Sequence, residues 1–124
     1  MIRLAILLLL TSPATAQVVV PSGQAVELYS FEVVTQSEGK HLLFVGLVAP
    51  DLKADSYDVA ATDMDVLCTE VALPEAFTQA RQGLAITEVS IRLADRPLAY
   101  GEIDPQAVQF MSFYDISTGE CTWH

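Results

Sequence analysis

Two cysteines, Cys68 and Cys121, are the only ones in a chain of 124 residues. At roughly fifty residues apart they form neither a C-x-x-C redox pair nor a zinc knuckle. If they bond to each other, the element holding Cys68 must pack on the element holding Cys121. A bridge closing a loop of that size stabilises a fold by roughly 4 kcal/mol in the chain-entropy model. Two buried free thiols are the alternative. An even count favours the bridge, provided the compartment is oxidising.

The start of the chain bears on the compartment. Arg3 supplies a short positive region, and Leu4 to Leu10 an apolar run. Ser12 and Pro13 break that run, and Ala14-Thr15-Ala16 offers the small residues of a cleavage site. This is the pattern of a secretory signal peptide. A spanning helix needs about 20 apolar residues, far more than this run holds. The expectation is a signal peptide at 1–16, cleaved near Ala16-Gln17, and one domain at 17–124. The protein would then be periplasmic or secreted, with no membrane span after cleavage.

Sixteen acidic residues against six basic ones give a formal charge of −10. Such a surface repels nucleic acid and anionic lipid. The acids are scattered rather than blocked, which reads as a solvated surface, with a cationic partner as the sharper alternative.

Along the domain, Val18 to Val20 can begin a short edge strand, and Ala25 to Thr35 reads as a strand rich in β-branched and aromatic residues. His41 to Ala49 is almost continuously apolar, as expected of a covered or central strand. These two should pair as a hairpin across Gln36 to Gly39. Asp55 is a candidate helix N-cap. The helix then runs to about Leu73, with Tyr57, Ala60, Ala61, Met64, Leu67, Cys68 and Val71 as its apolar stripe. Val59 and Val66 fall on its polar side without an explanation. Pro74 either stops or restarts the helix, and Gly83 ends it. Val89, Ile91 and Leu93 alternate with Glu88, Ser90 and Arg92, the pattern of a half-buried strand, while the parity of Ile86 suggests a bulge. Val108 to Ile116 is a further strand, and Ser117-Thr118-Gly119 turns it into a last one bearing Cys121 and Trp123.

The fold class expected is α+β: a small antiparallel sheet of about five strands, in the order β-β-α-β-β-β, with one main helix on one face. The disulfide Cys68–Cys121 would staple the helix to the last strand.

No chemistry stands out. His41 and His124 are the only histidines and neither has a second ligand at metal spacing, so no metal is expected. No cofactor is expected either, because the chain has no phosphate-cradling glycine motif and no nucleophile elbow. The most suggestive stretch is 95–102, which places Arg96, Tyr100 and Glu102 in one loop as a candidate interaction surface. The plainer reading pairs Arg96 with Asp95 or Glu102 and lets Tyr100 cap the core edge. Trp123 likewise reads as a core cap beside the disulfide.

Several short stretches carry a resemblance: Leu67-Cys68, Leu73-Pro74, the run from Ile91 to Pro97, Tyr100-Gly101-Glu102, Gln109-Phe110, Tyr114, and Gly119 to Trp123. Together they resemble a family of short exported alphaproteobacterial proteins, domain of unknown function 6497. The likeness covers nearly all of 17–124 and implies no activity, since the family has none assigned. The role expected is therefore a non-enzymatic periplasmic binding or protein-interaction module, its partner an unknown protein or small ligand. A small hydrolase or transferase is the rival. It would need two of Asp95, Glu102, Asp104 and Asp115 to converge with raised pKa values. A purely structural role in the envelope is the third reading.

Overall fold

The computed structural model describes residues 16–124. The expected leader, Ala16 excepted, lies outside the described residues. The elements are β1 (Ala16–Gln17), β2 (Glu27–Thr35), β3 (His41–Val48), α1 (Tyr57–Leu67), α2 (Leu73–Arg81), β4 (Ile86–Ala94), β5 (Gln109–Asp115) and β6 (Thr122–Trp123). The α+β class holds, with the helical segment between the hairpin β2–β3 and the later strands. The sheet has six strands, one more than about five, and they lie side by side in chain order.

The sheet is mixed rather than wholly antiparallel. β3 and β4 run parallel, while every other neighbouring pair is antiparallel. The helical segment is the reason. Parallel neighbours require a long crossover, and the chain between Val48 and Ile86 provides it.

The N-cap position of α1 is Ser56 rather than Asp55. The Ser56 hydroxyl donates to the Lys53 carbonyl (2.6 Å) instead of capping the helix. The apolar stripe lands as spaced: Ala60, Ala61, Met64, Leu67 and Cys68 are all buried. Tyr57 and Val59 stay about half exposed. Pro74 restarts the helix at the first turn of α2, where its missing N–H is no loss. A widened π-helical turn, Cys68–Ala72, precedes it, with the Leu73 N–H reaching the Cys68 carbonyl. A proline ring collides with the carbonyl four residues back in a regular helix, and the wider turn relieves that collision. Gly83 ends α2 at φ 93°. Its N–H bonds the Ala80 carbonyl and that of Leu84 bonds Gln79, a Schellman close.

One face of the sheet makes the main core. Leu43, Val45 and Leu47 of β3, Val89, Ile91 and Leu93 of β4 and Tyr114 of β5 pack on Ala60, Met64, Leu67, Ala72 and Ala76 of the helices. Fully burying each valine, leucine, isoleucine or methionine side chain among these contributes about 1.5–3 kcal/mol. Cys68 bonds Cys121 across this layer, their Cα atoms 6.2 Å apart. The staple joins helix to C-terminal hairpin, as the spacing predicts.

The opposite face is also covered, which the alternation in β4 did not suggest. Leu42, Phe44, Ser90 and Arg92 are buried there as well. Residues 95–107 fold back over them and bury Leu98. Tyr29 reaches across the same face. A bulge between Leu28 and Ser30 releases it from pairing, and its ring lies on Gly46. The Tyr29 hydroxyl donates to the Leu98 carbonyl and accepts from the Leu98 N–H (3.0 Å). The bulge expected at Ile86 appears as a register shift between β3 and β4 at that end.

Candidate functional site

The loop singled out in the sequence is occupied with itself. Arg96 Nε donates to Asp95 Oδ1 at 3.0 Å. Its other nitrogens reach Asp104 Oδ2 at 3.5 Å and the Gln106 carbonyl at 3.2 Å. The Arg96 guanidinium, through its hydrogen bonds, holds the Asp95 carboxyl below its ordinary value. The partner is thus Asp95, as the plain reading has it, joined by Asp104 and not Glu102. Glu102 instead accepts from the Ala99 N–H at 2.8 Å. The Tyr100 ring stands edge-on to Phe44, centroids 5.4 Å apart, and caps that side of the core. Arg96, Tyr100 and Glu102 therefore share a loop but not a target.

The acids required by a hydrolase are equally engaged. Asp95 and Asp104 meet on Arg96, Glu102 closes its own turn, and Asp115 accepts from the Ser117 hydroxyl and N–H. The Asp115 carboxyl is lowered by those bonds. A lowered carboxyl is deprotonated at neutral pH and makes a poor general acid.

Beneath the loop lies a residue that the sequence disguised. Arg92 is 6 % exposed. It donates to the Ala99 carbonyl (2.9 Å) and the Glu102 carbonyl (3.4 Å), and its guanidinium carbon stands 5.6 Å from the Phe44 ring centre. Its Nε has no partner. The alternation of β4 marks Arg92 as solvent-facing. The contrary signal was Leu98, the apolar residue of the loop that is buried over this face.

The more open feature lies at the C-terminal edge of the sheet. β6 pairs only with Tyr114 and Asp115 of β5. The His124 N–H then reaches the Phe113 carbonyl at 3.1 Å. Beyond that, no strand among the described residues pairs with the outer edge of β5. Backbone groups alternate in direction along a strand, so the N–H and C=O of Met111 point the same way as the Phe113 carbonyl. They face outward over the open edge.

A cleft of about 270 Å³ sits there, lined by Tyr57, Met111, Ser112, Phe113, Trp123 and His124. Pairing with β4 puts Met111 and Phe113 on the loop-covered face, and Ser112 on the helix face. The cleft thus wraps around the strand edge. Tyr57, Phe113 and Trp123 are 49 %, 48 % and 59 % exposed. Two further hollows adjoin it, one at Asp115, Ser117 and Thr122, the other at Glu88, Phe113 and His124.

The cleft has a fixed wall. Trp123 Nε1 and the Tyr114 hydroxyl both donate to Asp65 Oδ1, each at 2.7 Å. Burial, and then the bond to the Asp65 carboxylate, push the Tyr114 hydroxyl pKa well above its ordinary value. With the disulfide one helical turn along, this carboxylate pins β6 to α1. Trp123 is therefore a surface residue held in place, not the buried cap expected. Tyr57 is braced edge-on by Phe110, centroids 5.6 Å apart. The sequence spacing could not reveal the cleft, because Tyr57, Phe113 and Trp123 lie on three different elements.

The chain matches, over residues 5–124, the family described as a family of unknown function (DUF6497). No curated protein and no solved structure matches it.

Proposed function

We propose that this chain, which belongs to the DUF6497 family of unknown function, is an exported, non-enzymatic interaction module that binds an extended segment of another protein along the outer edge of β5. The observation that carries this reading is the coincidence of an unpaired strand edge with a cleft walled by aromatic side chains from both faces of the sheet. An added strand would gain main-chain hydrogen bonds from the edge and side-chain pockets from the walls, which is how strand addition obtains affinity and selectivity. Exposed aromatics held rigid by neighbours are the usual energetic centre of such interfaces.

The opposite edge of the sheet fits less well. β1 covers β2 only at Glu27 and Leu28, so residues 30–35, paired with β3 on one side, have no strand partner on the other among the described residues. That edge bears Glu32, and a charge on an edge strand discourages pairing. The stretch 109–114 carries no charged residue.

Export is supported by the leader pattern and by the Cys68–Cys121 bond, which an oxidising compartment preserves. No helix among the described residues is long and apolar enough to cross a membrane. Cell fractionation of the tagged full chain tests this. Recovery with the cytoplasm, thiols free, would refute it.

For edge binding, the isotope-labelled protein is titrated with an extended octapeptide. The amides of Met111 and Phe113 should shift and exchange more slowly with deuterium. Shifts confined to residues 95–107 would refute docking at β5 and return attention to that loop.

A further inference from the structure

Resting on the edge-binding reading, we infer that the segment docking on β5 is basic, presenting lysine or arginine side chains to both faces of the cleft. Three observations converge on this. No lysine or arginine lines the cleft or either adjoining hollow. Carboxylates stand on both sides of it instead. The pairing of β4, β5 and β6 places Glu88, Asp115 and Phe113 on the loop-covered face, and Trp123, held by Asp65, on the helix face beside Tyr57. The whole chain carries a formal charge of −10.

Each face thus combines an exposed aromatic ring with a carboxylate. A cation over an aromatic ring gains from the ring quadrupole, and a nearby carboxylate adds to the attraction. An added strand sends successive side chains to opposite faces. One residue would meet Tyr57 and Trp123, and the next Phe113 and Glu88. Glu88 is now bridged by His124 at 3.4 Å. An incoming ammonium or guanidinium would replace that exposed, titratable partner with a permanent charge. The acidic surface at large would also speed the encounter, an effect that falls with salt.

Trp123 is the sole tryptophan, so its fluorescence reports on the cleft directly. Three acetylated octapeptides serve as probes, repeating two threonines followed by two lysines, two glutamates or two glutamines, so that each face of the added strand carries the varied residue. At low salt the lysine peptide should bind at least about tenfold more tightly than the glutamine peptide, and the glutamate peptide least. About 0.5 M salt should remove most of the difference. Glu88→Gln should cut the ratio of lysine-peptide to glutamine-peptide affinity severalfold. Equal binding of all three peptides, with shifts at the Met111 amide, would overturn the basic segment and leave edge docking standing. A preference for lysine that Glu88→Gln and salt leave unchanged would overturn it too. No shift at Met111 with any peptide at millimolar concentration would take edge docking down with it.

Discussion

The carboxylate of Asp65 should hold the C-terminal hairpin to the helix, and Asp65→Ala measures by how much. Two donors lose their acceptor together. The Tyr114 side chain is 1 % exposed, so water has little access to its stranded hydroxyl. An unsatisfied buried donor costs about 1–3 kcal/mol. Trp123 is 59 % exposed, and its N–H can turn to water for less than about 1 kcal/mol. The expected loss is thus about 1–4 kcal/mol, against a total of about 5–15 kcal/mol for a domain. Urea denaturation with the disulfide intact reads this as a lower midpoint at unchanged slope. The decisive comparison is with Tyr114→Phe. Once the hydroxyl is gone, removing Asp65 strands nothing in the interior. The double variant should therefore be more stable than the two single losses predict, by about 1–2 kcal/mol. Additive losses, within about 0.5 kcal/mol, would show that the two side chains do not depend on each other and refute the shared-acceptor account.

Other expectations follow from the same structure. Replacing both cysteines by serine opens a loop of 53 residues and should cost roughly 4 kcal/mol; a melting temperature within a degree or so of the parent would contradict this. Gly46→Ala places a methyl group 2.5 Å from the Tyr29 ring and should destabilise by about 1–3 kcal/mol through overpacking. Adding Tyr29→Ser to it should recover that steric part, so a double variant showing no recovery sinks the explanation. The Asp95 carboxyl, lowered chiefly by its hydrogen bond from Arg96, releases its proton more readily folded than unfolded, where its ordinary value is 3.8. Its stabilisation is therefore complete above that value and lost as pH falls through the lower folded one. Carbon-detected NMR titration should place Asp95 below 3.8, and Arg96→Gln should return it there; a titration unaffected by Arg96→Gln would remove the ion pair from the account.

Much of the framework could be read from residue order. The spacing of Ala60, Met64, Leu67 and Cys68 requires a helix with one buried stripe, and the apolar run from Leu42 to Val48 requires a covered strand. Cysteines on that stripe and beside the final strand, if bonded, hold the helix against the C-terminal hairpin, and the bond is present. These features are local or covalent, so composition and period carry them. The loop 95–102 was legible as an unusual stretch, and Arg96 with Asp95 as a pair, because the partners are adjacent in the chain.

What the order of residues left open depends on groups far apart in the chain. Asp65 meets Trp123 across 58 positions, and Tyr29 meets Leu98 across 69. No periodicity encodes such pairs. The direction of β4 beside β3 followed from how the helical crossover returns, and the burial of Arg92 from a loop folding back on a face that alternation assigns to water. The cleft on β5 lies beside Phe113, where the described residues of the last strand reach no farther along β5 and Tyr57 arrives from another layer. Sequence alone decided which segments could be helix or strand and which two thiols could meet. Only the folded chain decided which strand edge stayed bare, because an edge is defined by the neighbours a strand lacks.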